Sequence, residues 1–183
     1  MEKAMENKET TLKDSLKLVK KAPRDYILYT AIILGGIIID QITKILASTY
    51  LKPIFTFPII EDIFHLTYRE NTGMAFGMLK DHRWVFMLVS TILIIGMGIY
   101  LYGMKSENRL YDVSLALILS GGIGNMIDRI FLGYVVDFID CRFINFAVFN
   151  GADSFVCVGA GLLMLALILD LIKEFKKEKE KAE

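Results

Sequence analysis

Four apolar runs constrain this chain more than any other feature, because each is close to the length that crosses a bilayer. They occupy roughly residues 26–46, 84–102, 113–130 and 154–172. A hydrocarbon core of about 30 Å takes about 20 helical residues. Backbone N–H and C=O groups in lipid have no water to bind, so each run is expected to be a helix that satisfies its own backbone. A soluble domain of 183 residues needs one core and no such runs. The expected fold is therefore an α-helical membrane protein with four transmembrane helices.

Basic residues orient the frame. Lys3, Lys8, Lys13, Lys17, Lys20, Lys21 and Arg24 precede the first run, and Lys173, Lys176, Lys177, Lys179 and Lys181 follow the last. An even number of spans puts both tails on one side, and positive charge favours the cytoplasmic side. The short connection with Lys105 and Arg109 falls on the same side. Segments 47–83 and 131–153 are then outside. The first holds Pro53, Pro58 and the β-prone stretches PIFTF and IFHLTY, and the second holds YVVDFI. These suit a small sheet lying on the membrane. Residues 1–25 form a polar cytoplasmic extension without a cleavable leader, and residues 173–183 a charged, solvated tail. Leu12, Leu16 and Val19 fall at helical spacing among lysines, which suits either a membrane-surface helix or a disordered segment.

Composition removes several functions. The 21 basic and 21 acidic side chains balance, so no nucleic-acid partner is expected. Cys141 and Cys157 form no CxxC pair, and His65 and His82 lack ligand spacing and read as ordinary loop residues. Neither a metal nor an organic cofactor is expected. No GxSxG, HExxH or P-loop pattern is present.

The informative residues are polar ones at membrane depth. Asp40 and Lys44 are spaced i, i+4 with the acid first, the order that favours a helical ion pair. They read as a support for the first helix. The third run ends in GGIGNMIDR, where Gly121, Gly122 and Gly124 permit close helix contact. Asn125 and Asp128 share a helix face. Asp128 lies at the negative end of its helix, so a structural pair with Arg129 is expected. In YVVDFID, Asp137 sits among Val135, Val136, Phe138 and Ile139. Apolar surroundings favour a protonated carboxyl, whereas the bland alternative is a strand residue facing water. In FNGADS, Asn150 suits an N-cap and Asp153 a capping-box acid at a positive helix end. Two acids with opposed environments are the arrangement that activates water and protonates a leaving group near neutral pH.

Five motifs follow one another on this frame: DQxTK (Asp40 to Lys44), NTGxAF (Asn71 to Phe76), GGxxGNxxDR (Gly121 to Arg129), VVDF (Val135 to Phe138) and FNxADS (Phe149 to Ser154). In this order they resemble lipoprotein signal peptidase, or signal peptidase II. The resemblance implies an aspartic endopeptidase of the bacterial inner membrane, with four membrane helices and a small extracytoplasmic β-cradle. It implies cleavage of signal peptides from diacylglyceryl-modified prolipoproteins, on the amino side of the lipidated cysteine. It also implies inhibition by globomycin and contact with membrane lipid, and a monomer is expected. The catalytic aspartates correspond to Asp137 and Asp153, with Asp128 as a competitor kept in a supporting role. Asn71, Asn125, Arg129 and Asn150 correspond to site-lining positions, and Asn71 and Arg129 are candidates for contacting the substrate's carbonyl or lipid groups. Gly151 departs from the pattern, which has a larger apolar residue there.

Two rival readings remain open on sequence alone. One is a proton-coupled transporter with a relay through Asp40, Asp128 and Asp153, which the lack of an inverted repeat disfavours. The other is a non-catalytic membrane binding module in which every acid is a cap or an ion-pair member.

Overall fold

A computed structural model of the protein describes residues 22–73, 83–104, 108–144 and 146–182. The expectations placed on residues 1–21, on His82 and on Lys105 lie outside the described residues, as does the second half of the NTGxAF motif.

The chain runs α1 (Pro23–Leu46), a π-helical turn (Ala47–Leu51), β1 (Thr56–Ile60), β2 (Phe64–Asn71), α2 (Arg83–Gly103), α3 (Arg109–Phe131), β3 (Val135–Cys141), a short 3₁₀ turn (Arg142–Ile144) and α4 (Gly151–Ala182). Among the described residues, three stretches are long and apolar enough to cross a membrane: Pro23–Leu51, Arg109–Phe131 and Gly151–Glu180. The apolar part of α2, Met87–Gly103, is shorter.

Local chemistry sets the ends. Pro23 opens α1 where its missing N–H costs nothing. Asn108 caps α3 by accepting the Leu110 N–H at 3.0 Å. Gly133, at φ 84°, turns the chain out of α3 with its N–H on the Asp128 carbonyl. The charged tail continues α4 as helix to Ala182.

α3 is the central helix and touches α1, α2 and α4. The buried residues of α1 are Tyr29, Ile33, Gly36, Asp40 and Lys44, a single helical stripe that begins aromatic and ends charged. Tyr29 and Ile33 join Leu101, Ala116 and Leu119 in an apolar cluster. Many large apolar side chains, such as Ile27, Ile45 and Ile99, face outward, while Asp40, Lys44, Asn125 and Asp128 are buried. That inverted pattern suits a lipid surround. Close helix approach depends on several glycines, among them Gly36, Gly121, Gly124 and Gly159. A Cβ at Gly121 would strike the Ala152 carbonyl of α4, and one at Gly124 would lie 2.6 Å from Asp40 Oδ2. Gly122 instead faces Ile94 of α2, with room for a methyl group.

The three strands form one antiparallel sheet in the order β1-β2-β3. Pro58 is tolerated because β1 is an edge strand. Between the pairs Leu66↔Ile139 and Arg69↔Asp137 the register slips, so β2 advances three residues while β3 advances two. This bulge changes which β2 residues share a face with β3 beyond it. Val136 packs with Ala47, Leu51 and Tyr68, and Phe138 lies against the same cluster. Alternation sends Asp137 to the opposite face. His65 is no loop residue: it is buried in β2 opposite Asp140.

Candidate active site

Asp137 meets the start of α4 because the segment before that helix is stitched to β3. Phe149 forms an antiparallel bridge with Ile139, with its N–H on the Ile139 carbonyl at 3.0 Å and the Ile139 N–H on its own carbonyl at 2.8 Å. The next residue, Asn150, is fully buried and begins α4 beside the strand.

Asn150 touches both acids. Its Nδ2 donates to Asp137 Oδ1 at 2.7 Å. Its Oδ1 accepts the Asp153 N–H at 2.9 Å, and Asp153 Oδ2 accepts the Asn150 N–H at 3.2 Å. The last two bonds are a reciprocal capping box. Asp137 Oδ2 accepts Asn71 Nδ2 at 2.9 Å, and Asp153 Oδ1 accepts Asn125 Nδ2 at 2.8 Å. Each carboxylate therefore receives two N–H donors.

Their electrostatic settings differ. Burial raises the Asp137 carboxyl from 3.8 to about 6. The negative charge of Asp153 adds to this rise, while hydrogen bonds from Asn71 and Asn150 and the charge of Lys44 oppose it. Asp153 lies in the first turn of α4, where the helix dipole favours a negative charge.

Behind the pair is a closed charge cluster. Lys44, almost wholly buried, holds Asp40 Oδ2 at 2.8 Å and Asp128 Oδ2 at 3.1 Å, and donates to Asn125 Oδ1 at 2.9 Å. Asp40 Oδ1 accepts the Ala152 N–H at 2.8 Å, and Asp128 Oδ2 accepts the Val136 N–H at 3.1 Å. The cluster thus ties α1 to the first turn of α4 and to β3. Gln41 completes it by donating to Asp128 Oδ1 at 3.0 Å and to Asp40 Oδ2 at 3.2 Å. Sequence reasoning passed over Gln41, although it stands inside the DQxTK motif.

The expected Asp128–Arg129 pair is not what forms: Asp128 pairs with Lys44 of α1. Consecutive helical residues point about 100° apart and do not face one another. Arg129 instead donates Nη1 to the Asn125 carbonyl at 3.2 Å and lines a cavity.

That cavity has a volume of about 1110 Å³. Asn71, Asn125, Arg129, Asp137 and Asp153 are part of its polar lining, and Phe146, Phe149 and Val156 contribute apolar wall. Asp40, Lys44 and Asp128 are not among its lining residues. It also exposes Arg69, Glu70, Ser90 and Cys157, which no motif marked. Cys141 and Cys157 are both free thiols. Among the described residues no cluster of His, Cys, Asp and Glu has the makings of a metal site.

The chain is similar to known membrane enzymes over most of its length. The lipoprotein signal peptidase of Caldanaerobacter subterraneus subsp. tengcongensis is 52% identical over 132 residues, covering 72% of this chain and 90% of the relative. That of Bacillus subtilis is 41% identical over 153 residues, covering 82% and 99%. Two solved bacterial membrane enzyme structures, each 32% identical in sequence, superpose with TM-scores of 0.73 and 0.68. The first covers 79% of this chain and 89% of its own, the second 76% and 92%. The family described as signal peptidase (SPase) II matches residues 32–169. A match of that extent places this membrane protein in the signal peptidase II family of peptidases.

Proposed function

We propose that this protein removes signal peptides from diacylglyceryl-modified prolipoproteins, cutting on the amino side of the lipidated cysteine, with Asp137 and Asp153 as the catalytic acids. The observation that carries this reading is that one buried asparagine, Asn150, donates to both acids at the edge of a cavity of about 1110 Å³.

In this mechanism the two acids hold a water between them. Asp153, in the first turn of α4, takes a proton from the water. The hydroxide attacks the scissile carbonyl carbon. Asp137, whose carboxyl is raised to about 6 by burial, donates its proton to the carbonyl oxygen. The tetrahedral intermediate collapses: the C–N bond breaks, the proton now on Asp153 passes to the leaving amine, and the former carbonyl oxygen returns its proton to Asp137. Asn71 and Arg129, both lining the cavity, are placed to contact the substrate's backbone carbonyl or lipid ester groups. Asp40, Lys44 and Asp128 serve as scaffold.

The topology proposed is four spans, with α2 as the fourth, in the bacterial inner membrane. Both termini are cytoplasmic, residues 26–172 form the peptidase unit, and the sheet and both acids lie at the extracytoplasmic face. Exposed Phe55, Phe57, Ile59 and Ile60 around β1 suit a sheet resting on lipid. The protein acts as a monomer and binds globomycin in the cavity.

The test is cleavage of a purified diacylated prolipoprotein by wild type, Asp137→Asn and Asp153→Asn, with and without globomycin. Loss of turnover in both variants at retained folding is expected, together with inhibition of the wild type. Wild-type turnover by either variant sinks the assignment.

A further inference from the structure

Three asparagine side chains donate to the two acids, and in each the carbonyl oxygen is tied to a group that can only donate. Asn71 Oδ1 accepts the Gly73 N–H at 3.0 Å, and Asn150 Oδ1 accepts the Asp153 N–H at 2.9 Å. Asn125 Oδ1 accepts Lys44 Nζ at 2.9 Å. A primary amide has one acceptor end and one donor end, so fixing the oxygen also fixes where the NH₂ points. Two of the three amides are thus oriented by main-chain N–H groups, which no substitution at the donor other than proline removes. Asn125 alone is oriented by a side chain.

We propose that Lys44 is a positioning residue for the peptidase reaction, acting through Asn125 to hold its NH₂ on Asp153. The consequence is geometric. With Lys44 in place, Asn125 Nδ2 donates to Asp153 Oδ1 at 2.8 Å. Without it, Asn125 Oδ1 keeps only the longer bond from Asn150 Nδ2, at 3.2 Å, and that donor already serves Asp137 at 2.7 Å. The amide is then free to turn its oxygen toward the Asp153 carboxylate, where two acceptors repel. Asp40 and Asp128, at 2.8 and 3.1 Å, fix Lys44 and thereby aim it. This gives a positioning role to a buried lysine whose neutralising role between two acids leaves one negative charge over. It also gives the chain's first helix a part in the chemistry, although its residues lie outside the cavity lining.

The inference rests on Asp153 being catalytic, and its test separates the two. Cleavage of a diacylated prolipoprotein is followed for Lys44→Met, Lys44→Met/Asp128→Asn, Asn125→Asp and the double Lys44→Met/Asn125→Asp, with kcat and KM resolved and folding checked by thermal melting. The Lys44→Met/Asp128→Asn protein has the wild-type net charge in the cluster, so it guards against simple misfolding. Asn125→Asp keeps an acceptor for Lys44 but has no donor for Asp153. The expected result is a loss of kcat of about 100-fold in every variant, KM within about 3-fold of wild type, and a double Lys44→Met/Asn125→Asp no worse than the poorer single. Near-wild-type kcat in folded Lys44→Met/Asp128→Asn overturns the proposal, since Lys44 is then only a counter-charge. Multiplying losses in Lys44→Met/Asn125→Asp overturn it as well. Failure of the aspartate reading appears elsewhere, as retained cleavage by Asp153→Asn.

Discussion

Asn150 holds Asp137 with its side chain at 2.7 Å and is in turn capped by Asp153, whose carboxylate accepts the Asn150 main-chain N–H at 3.2 Å. One residue therefore sets both the start of α4 and the relation between the two candidate acids. These roles separate by substitution. Asn150→Ser keeps a cap and is expected to lower stability by well under 1 kcal/mol, while Asn150→Ala costs about 1 kcal/mol. Both shorten the side chain away from Asp137, so both are expected to lower kcat by at least 10-fold. Equal melting of Asn150→Ser and wild type, with unequal turnover, is the pattern sought; full activity in Asn150→Ser would show that the bond to Asp137 is dispensable.

The Asp137 carboxyl lies at about 6 against 3.8 for its ordinary value, chiefly through burial. An acid whose folded value is raised binds its proton more tightly when folded, so its contribution favours the folded state at low pH. That contribution is lost as pH rises through 4 to 6, by about 3 kcal/mol in all. The stability of wild type minus that of Asp137→Asn should therefore fall across this window and level off above it. Melting curves from pH 4 to 7.5 check the sign, and a difference that stays flat or grows with pH refutes the buried-acid account.

Two glycines flank the Asp40 carboxylate with opposite consequences. A methyl group at Gly124 would come within 2.6 Å of Asp40 Oδ2 in a packed, charged contact. Gly124→Ala is expected to cost about 1–3 kcal/mol and to reduce activity. A methyl at Gly151 meets Asp40 Oδ1 at an ordinary 3.5 Å. Gly151→Ala is expected to be neutral or to stabilise by up to about 1 kcal/mol through the unfolded chain. Comparing the two melting temperatures decides it, and destabilisation by Gly151→Ala is the contrary outcome.

Asp128 and Arg129 are neighbours in sequence with separate duties. Asp128→Ala leaves the buried Lys44 with one counter-ion fewer and the Val136 N–H without its acceptor. Removing one member of such a cluster costs about 3–5 kcal/mol. Arg129→Met opens no ion pair to Asp128 and is expected to cost much less stability. It should raise KM for the lipidated substrate instead. Matching stability losses in the two variants would restore the adjacent pair that the structure replaces.

Much of the frame was readable from local pattern. Apolar run length announced helices because backbone in lipid has no alternative partner. The β-branched and aromatic residues of IFHLTY and YVVDFI announced strands because such side chains suit a pleated, half-buried surface. The Asn150–Asp153 cap was legible for the same reason: both its partners lie within one helical turn.

What remained hidden depends on which elements meet. The sequence suggested Arg129 for Asp128, yet the partner is Lys44, 84 positions away, because helix packing chooses which faces touch. His65 read as a loop residue until β2 paired with β3 around it. The orientation of Asn125 is likewise a tertiary matter, since it follows from a lysine on another helix. The sequence by itself determined a membrane protein with capped apolar helices, β-prone connections and acids at helix ends, because these follow from contacts within a few residues. Only the tertiary structure decided which acids share a cavity and which are spent on Lys44, because desolvation and pairing depend on neighbours that the chain brings together over more than 80 residues.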